Sequence, residues 1–324
     1  MYPRSMADSD CVMVMGSNMA ECHPVAFRWP MQAKVNGAKL IHVDPRFTRT
    51  SAMADIYAPI RAGSDIAFLG GIINYVINSE RWHSDTFFRD WLQHYTNAAT
   101  IISEEYKDAE DLDGVFSGLM NYSGGAPEWP FNGFLGQYDP KSWQYARGGR
   151  SGAQGEAAGY TARSGEVPGH SGEPGKGAPG PLAQAKSGAR ADEQAAGPPF
   201  DALVHSLLKP PPQRDETLQD PRCVFQIVKR HFSRYTPEMV ERITGCPRET
   251  FLSVARTLLD NSGRDRTCSF AYAVAWTQHT NGPQIIGCAA LLQLLLGNFG
   301  RPGAGIMALR GHASIQGSTD IPPL

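Results

Sequence analysis

Short apolar runs that each end in a polar loop constrain the fold of this chain more than any other feature. Residues 11–15 (CVMVM) form an apolar run that stops at Gly16, and residues 39–43 (KLIHV) form a second that stops at Asp44. Runs of this length without polar alternation are typical of strands in a parallel sheet, which is buried on both faces. We predict two further strands, at residues 56–60 and 268–276.

Helical patterns alternate with these strands. Gly37 ends a predicted helix over residues 23–36, and Ser64 or Asp65 can cap a helix over residues 66–78, whose apolar residues recur at helical spacing. The alternation predicts an α/β fold with a doubly wound, mostly parallel sheet of the dinucleotide-binding-like type. We predict further helices at 224–232, at 237–244 with Thr236 as its cap and Gly245 as its end, at 247–259, and at 285–296, the last one apolar nearly all round and therefore buried.

A change in composition divides the chain. Residues 148–198 contain 13 Gly, 5 Pro and 11 Ala, and only three larger hydrophobic residues. Such a stretch buries too little apolar surface to offset its ordering entropy, so we predict a disordered insert at 148–213, with a docking segment as the alternative. Residues 1–147 and 214–312 then form one α/β domain, and 313–324 begin a following domain that is truncated.

Charge and cysteine spacing exclude several function classes. The chain has 30 Lys and Arg against 32 Asp and Glu, so no excess of positive charge favours nucleic-acid binding. No two of the six cysteines lie within four residues of each other, which excludes C-x-x-C zinc or iron–sulfur motifs from this chain. No apolar run approaches the roughly 18 residues of a membrane span, and the first residues have no signal-peptide core.

Polar loops follow the predicted strands at the edge where parallel sheets bind ligands. Their glycines, acidic residues and arginine suit a nucleotide, although the first loop has one glycine where an NAD site has three. Each residue also has a structural explanation. Asn18 and Asp65 can be helix caps, Asp44 a turn residue, Cys22 a buried thiol and His23 a packing residue.

Seven sequence blocks in register are shared with a known family. With these blocks in this order, the chain resembles the catalytic large subunit of respiratory formate dehydrogenases of the formate dehydrogenase-N type. These enzymes belong to the molybdopterin oxidoreductases. The similarity covers residues 10–147 and 213–322. The blocks are VMGSNMAECHP (14–24), HVDPRFTRT (42–50), ADIYAPIRAGSDI (54–66), HYTNA (94–98), DETLQDPRCV (215–224), WTQHT (276–280) and LRGHASIQG (309–317).

The resemblance implies a bis-molybdopterin guanine dinucleotide cofactor with Mo or W, and it assigns roles by motif position. Gln278 would approach the pterin. Arg310 would hold the formate carboxylate beside the metal, with Gly311 and His312 flanking it. The residues implied to lie on the nucleotide are Gly16, Asn18, Glu21, Cys22, Asp44, Arg46, Gly63 and Asp65. Cys22 departs from the small or hydroxyl residue that is usual at its position.

The resemblance also implies what accompanies this chain. A [4Fe–4S] domain and a Cys or selenocysteine metal ligand would precede it, because the family includes selenoproteins, and further domains would follow it. We therefore expect an oxidoreductase fragment that is inactive alone and whose parent enzyme oxidises formate to CO2 in anaerobic respiration. The implied partners are formate, the rest of the catalytic subunit, an iron–sulfur subunit and a membrane cytochrome b subunit, in a periplasmic, membrane-associated complex.

Two alternatives stay open at this point. The chain could be an inactive, truncated α/β remnant that holds another nucleotide, in which case Arg310 would be only a surface residue. It could also derive from another molybdopterin oxidoreductase, such as a relative of the nitrate reductases.

Overall fold

The computed structural model describes residues 2–107, 144–147 and 211–311. Most of the predicted insert (148–210), His312 and the predicted start of a following domain (313–324) lie outside the described residues. Contacts divide the chain into two units. The first comprises Met1–Gln144 and Arg214–Leu324, and the second comprises Tyr145–Gln213. In the second unit, the amide of Gln213 donates to the carbonyl of Ala146 over 2.7 Å.

The first unit contains a five-stranded parallel sheet with the strand order β3-β2-β1-β4-β5. Strands from both sides of the predicted insert therefore pair directly, and the prediction of a doubly wound, mostly parallel sheet is confirmed. The strands are β1 (Cys11–Met15), β2 (Lys39–Val43), β3 (Ile56–Ala58), β4 (Cys268–Tyr272) and β5 (Gly305–Ala308).

Helices and turns connect these strands, and α8 shows the predicted cap and end. Thr236 caps its helix by accepting from the amide of Met239 over 3.2 Å, and Gly245 ends that helix with φ at +72°. The helices are α1 (Met19–Cys22), α2 (Pro24–Val35), α3 (Arg49–Met53), α4 (Asp65–Asn78), α5 (Glu80–Ser84), α6 (Thr86–Tyr95), α7 (Val224–Phe232), α8 (Pro237–Thr244), α9 (Arg248–Asp260), α10 (Val274–Thr277) and α11 (Gly282–Leu295), and a 3₁₀ helix spans Pro3–Asp8.

The core lies on both faces of the sheet because successive side chains of a strand point to opposite faces. Met13 of β1 packs in the cluster that contains helices α4, α9 and α11. Val12 and Val14 pack in a second cluster with the 3₁₀ helix and α2. Every residue of β1 is buried, as expected of a central parallel strand.

Three sequence predictions need correction. The run 268–276 is not one strand, because β4 ends at Tyr272 and α10 turns the buried Trp276 back onto the Tyr272 ring at 4.8 Å. Helix α11 is buried on one side only, and Leu291 and Leu294 are half-buried. Neither proposed side chain caps α4, since the Ser64 hydroxyl donates to the carbonyl of Arg61 over 2.6 Å and Asp65 is the first helical residue.

Candidate functional site

The order of the strands creates one crevice at the carboxyl edge of the sheet. From β1 the chain proceeds through β2 to β3 on one side, whereas β4 and β5 lie on the other side of β1. In doubly wound sheets, ligands bind where the direction of winding changes, at the carboxyl ends of the two adjacent strands. Here those strands are β1 and β4, which are followed by Gly16 and by Ala273.

The first loop, residues 16–22, approaches α10 closely. Gly16 has φ at +74°, and a Cβ atom added to it would lie 2.7 Å from Cδ1 of Trp276. The amide of Ala273 also donates to the carbonyl of Gly16 over 3.3 Å. Only glycine satisfies both this backbone conformation and this approach, so the loop is pressed against the end of β4.

Side chains of the first loop bind one another and α3. Asn18 does not cap α1, because its Oδ1 accepts from the hydroxyl of Thr50 over 2.9 Å and its Nδ2 donates to Glu21. Glu21 also lies 3.2 Å from Nε of Arg49. The structure therefore brings Asn18 and Glu21 together.

The second loop begins with an Asx turn at Asp44. Its Oδ1 accepts from the amide of Arg46 over 2.8 Å, so the turn that the sequence left open as an alternative is present. The Tyr57 hydroxyl donates to the carbonyl of Asp44 over 3.1 Å. The side chain of Arg46 is exposed and available to an anionic group.

The third loop places a buried carboxylate at the start of α4. Gly63 has φ at +84° and open space around it, so its conformation and not crowding favours glycine there. Asp65 is 5% exposed, and burial raises the pKa of its carboxyl group. His279 Nδ1, 3.9 Å from Oδ2 of Asp65, opposes this shift, while the charge of Asp44 adds to it. The third loop therefore lies against a fourth loop, residues 277–279, and is close enough to the second loop for the charge of Asp44 to act on Asp65.

Buried polar atoms without partners cluster at the same edge. Among the described residues, Ser17 Oγ and His279 Nδ1 are buried and have no hydrogen-bond partner, and Trp276 Nε1 is buried beside the Asp65 carboxylate, whose pKa it lowers. Such atoms are costly to bury unless a ligand or water satisfies them. The sequence analysis did not single out these three residues, although all three lie inside the sequence blocks that carry the resemblance.

The residues implied to approach the pterin and substrate lie on the other side of the crevice. Gln278 follows α10 and is exposed. Arg310 and Gly311 follow β5 and are also exposed, and within the described residues Arg310 makes no hydrogen bond or ion pair. The structure thus places them at the carboxyl edge but brings neither Gln278 nor Arg310 into contact with Asp44 or Asp65.

Cys22 lies on the rim of this edge and is not a buried thiol. It is exposed and lines a surface cavity of about 520 Å³ together with His23, Arg28 and Trp29. Both ring nitrogens of His23 are buried without a described partner. All six cysteines are free.

The arrangement suits a nucleotide more than a metal ion. Carboxylates accept hydrogen bonds from base N–H groups, and arginine and buried hydroxyl, imidazole and indole donors suit phosphate and hydroxyl oxygens. The described residues contain no group of three or more His, Cys, Asp or Glu side chains arranged to hold a metal ion. No described helix is both long and apolar enough to cross a bilayer.

Comparison with known proteins gives a consistent match. The sequence model of the family described as molybdopterin oxidoreductase matches residues 4–321. The formate dehydrogenase-O major subunit of Escherichia coli K12 is 40% identical over 315 residues, and the major subunit of the nitrate-inducible formate dehydrogenase of the same organism is 39% identical. Each alignment covers 97% of this chain and 23% of the relative, so the chain spans about a quarter of the length of these relatives.

A solved structure, an acetylene hydratase from Pelobacter acetylenicus, aligns with 92% of this chain and 23% of its own. Its TM-score is 0.47 at 17% identity.

Proposed function

Because this chain belongs to the molybdopterin oxidoreductase family, we propose that its carboxyl sheet edge binds a guanine dinucleotide arm of a bis-molybdopterin guanine dinucleotide in a formate dehydrogenase catalytic subunit. The family implies a molybdopterin cofactor, and the relatives named above are formate dehydrogenase major subunits. These relatives favour formate dehydrogenases over nitrate reductases as the source of the chain.

One observation carries the proposal. Two carboxylates, Asp44 and Asp65, and the buried polar atoms Ser17 Oγ, Trp276 Nε1 and His279 Nδ1 lie on the loops at the crevice of a doubly wound sheet. Guanine has N–H donors on its Watson–Crick edge that a carboxylate can accept, whereas phosphates need the donors that Ser17, Trp276 and His279 offer. The residues present therefore fit the nucleotide part of the cofactor.

The proposed roles follow the three loops. Asn18, Glu21 and Cys22 line the nucleotide from the first loop, with Gly16 allowing close backbone approach. Asp44 accepts from base or ribose donors, and Arg46 binds phosphate. Gly63 shapes the loop that leads to Asp65, whose buried carboxylate accepts from the base.

On the opposite side of the crevice, Gln278 approaches the pterin and Arg310 binds the substrate. A guanidinium group stays charged at any working pH and can bind the formate carboxylate through two parallel hydrogen bonds. Gly311 and His312 would flank this arginine. When bound, the Mo or W cofactor supplies the redox chemistry, and the chain's own residues bind and orient its nucleotide and the substrate.

The resemblance extends the proposal to the rest of the enzyme. A [4Fe–4S] cluster, an iron–sulfur subunit and a membrane cytochrome b subunit would carry the electrons from formate, in a membrane-associated periplasmic complex. One relative, from Nitratidesulfovibrio vulgaris, is a formate dehydrogenase 2 subunit alpha whose name includes cytochrome c-553, and it is 36% identical over 97% of this chain.

Calorimetric titration of the chain with guanosine diphosphate, and with adenosine diphosphate for comparison, tests the proposal. We expect a preference for the guanosine nucleotide because adenine lacks the N1–H and N2–H donors that face a carboxylate. The variants Asp44→Asn and Asp65→Asn should each lose about tenfold in affinity, equivalent to about 1.4 kcal/mol. Asp90→Asn, which changes an exposed carboxylate on α6, should bind as the unmodified chain does. Equal affinity for both nucleotides would contradict the proposal.

A further inference from the structure

A buried hydrogen-bond network lies beneath the first loop. It comprises His42 at the end of β2 and Thr50 and Ser51 of α3, and all three residues are at least 97% buried. We propose that these three are positioning residues that hold the first loop in its ligand-binding shape. This inference rests on the proposed function for its consequence on nucleotide affinity, but not for its structural content.

His42 joins the first loop to α3 through both of its ring nitrogens. Nε2 lies 3.1 Å from the carbonyl oxygen of Ser17, which can only accept, so Nε2 carries a proton and donates. In the neutral ring, Nδ1 then accepts from the hydroxyl of Ser51, 2.8 Å away. The Ser51 oxygen in turn accepts from the amide of Thr48 over 2.8 Å. Each group in this chain of hydrogen bonds therefore has a defined direction.

Thr50 makes the second connection between α3 and the first loop. Its hydroxyl donates to Asn18 Oδ1 over 2.9 Å and accepts from the amide of Ala20 over 3.0 Å. Together with His42, it fixes the loop at Ser17, Asn18 and Ala20. These attachments lie between Gly16 and Glu21, two residues proposed to line the nucleotide.

The network requires the neutral form of His42. The titratable groups that face the ring are Asp44, whose Oδ2 is 3.9 Å from Nε2, and Tyr57, whose ring centroid is 6.2 Å away. Burial lowers the pKa of His42, although the Ser17 carbonyl and the charge of Asp44 oppose this. Protonation of Nδ1 would reverse this hydrogen bond, because Nδ1–H would then donate to the Ser51 oxygen and the Ser51 hydroxyl would need another acceptor.

A purely structural role for His42 makes a different prediction. A buried histidine that serves only the core would, when removed, lower the stability of the whole sheet. A positioning residue would, when removed, loosen the first loop selectively and leave the centre of the sheet protected.

Amide hydrogen exchange of the intact chain, corrected for intrinsic rates, distinguishes a positioning role from a purely structural role. In His42→Leu and Thr50→Val we expect exchange at residues 16–22 to rise about tenfold at pH 7.5, with β4 unchanged. Thr50→Ser keeps the hydroxyl and should match the unmodified chain. His42→Gln retains a donor and an acceptor and should raise exchange at residues 16–22 less than His42→Leu does. Unchanged exchange in the loop, or an equal rise in β4, would overturn the proposal.

Titration of the same variants with guanosine diphosphate tests the consequence for binding. We expect about tenfold weaker binding in Thr50→Val and His42→Leu, and unchanged binding in Thr50→Ser. If the unmodified chain binds and the variants bind equally well, the loop's shape does not control affinity and the inference fails. If the unmodified chain does not bind, the proposed function fails, and the exchange experiment alone decides whether the network positions the loop.

Discussion

At the scale of single residues, Gly16 links the sequence most directly to the site. It ends β1 in a conformation with positive φ, and its hydrogen atoms face the indole of Trp276. The glycine was predictable as the end of an apolar run. The indole contact was not, because it depends on a residue 260 positions later whose segment was predicted to continue as a strand.

The variant Gly16→Ala should destabilise the chain by about 2 kcal/mol or more. The new Cβ would lie 2.7 Å from Trp276 Cδ1, and alanine is strained at φ +74°. Urea unfolding of the variant and of Gly37→Ala, where φ is also positive but no atom lies within 4 Å of the added Cβ, separates crowding from backbone strain. Equal losses in both variants would show that the Trp276 contact is not the cause.

Asp65 should oppose stability at neutral pH while serving the site. Because burial raises its pKa, the folded chain binds this proton more tightly than the unfolded chain does. The stabilisation that comes from the protonated carboxyl group of Asp65 is therefore fully present below the pKa of the unfolded chain, near 3.8. It is lost as the pH rises through the pKa of the folded chain. Asp65→Asn cannot ionise, so it should raise the Tm by a few degrees at pH 7 and leave it nearly unchanged at pH 3. A lower Tm at pH 7 would contradict this account.

At the scale of elements, local sequence signals were sufficient to predict the ends of a helix or strand where those ends depend only on neighbouring residues. The apolar run of β1, the Gly37 that follows α2, and the Thr236 and Gly245 ends of α8 all lie where the sequence predicts them. Local signals failed where a tertiary contact determines the end of an element, as at Trp276. They also failed for α11, because an apolar sequence does not reveal how much of a helix its neighbours cover.

The close approach of α4 to α8 and α9 depends on Gly71. A Cβ atom at this position would lie 2.4 Å from Cγ2 of Val240 and 2.9 Å from the Phe251 ring. Gly71→Ala should therefore lower the free energy of unfolding by about 1–3 kcal/mol through overpacking. Gly287→Ala in α11 is the matched control. It has open space around it and should be stabilising by about 0.5–1 kcal/mol in denaturant titrations. A stabilising Gly71→Ala would contradict the packing described here.

At the scale of the whole molecule, the order of the strands determines where the candidate site lies, at the carboxyl edge of the sheet between β1 and β4. The sequence predicted a doubly wound sheet and the first four strands but not β5. It also could not predict that His279 lies 3.9 Å from Asp65, because that contact joins residues on either side of the predicted insert. The roles of Asp44, Asp65 and Arg310 came from motif position and stay predictions. Their location at one edge follows from the parallel pairing of all five strands.

A residue-resolved NMR titration of the chain with guanosine diphosphate tests the central claim most directly. The account predicts saturable shifts of amide signals at residues 16–22, 44–47, 63–65 and 276–279, which are the loops at the carboxyl edge. Saturable shifts at the opposite edge of the sheet, around Asp8, Asp10 and Asn36, or no saturable shifts at all, would contradict it.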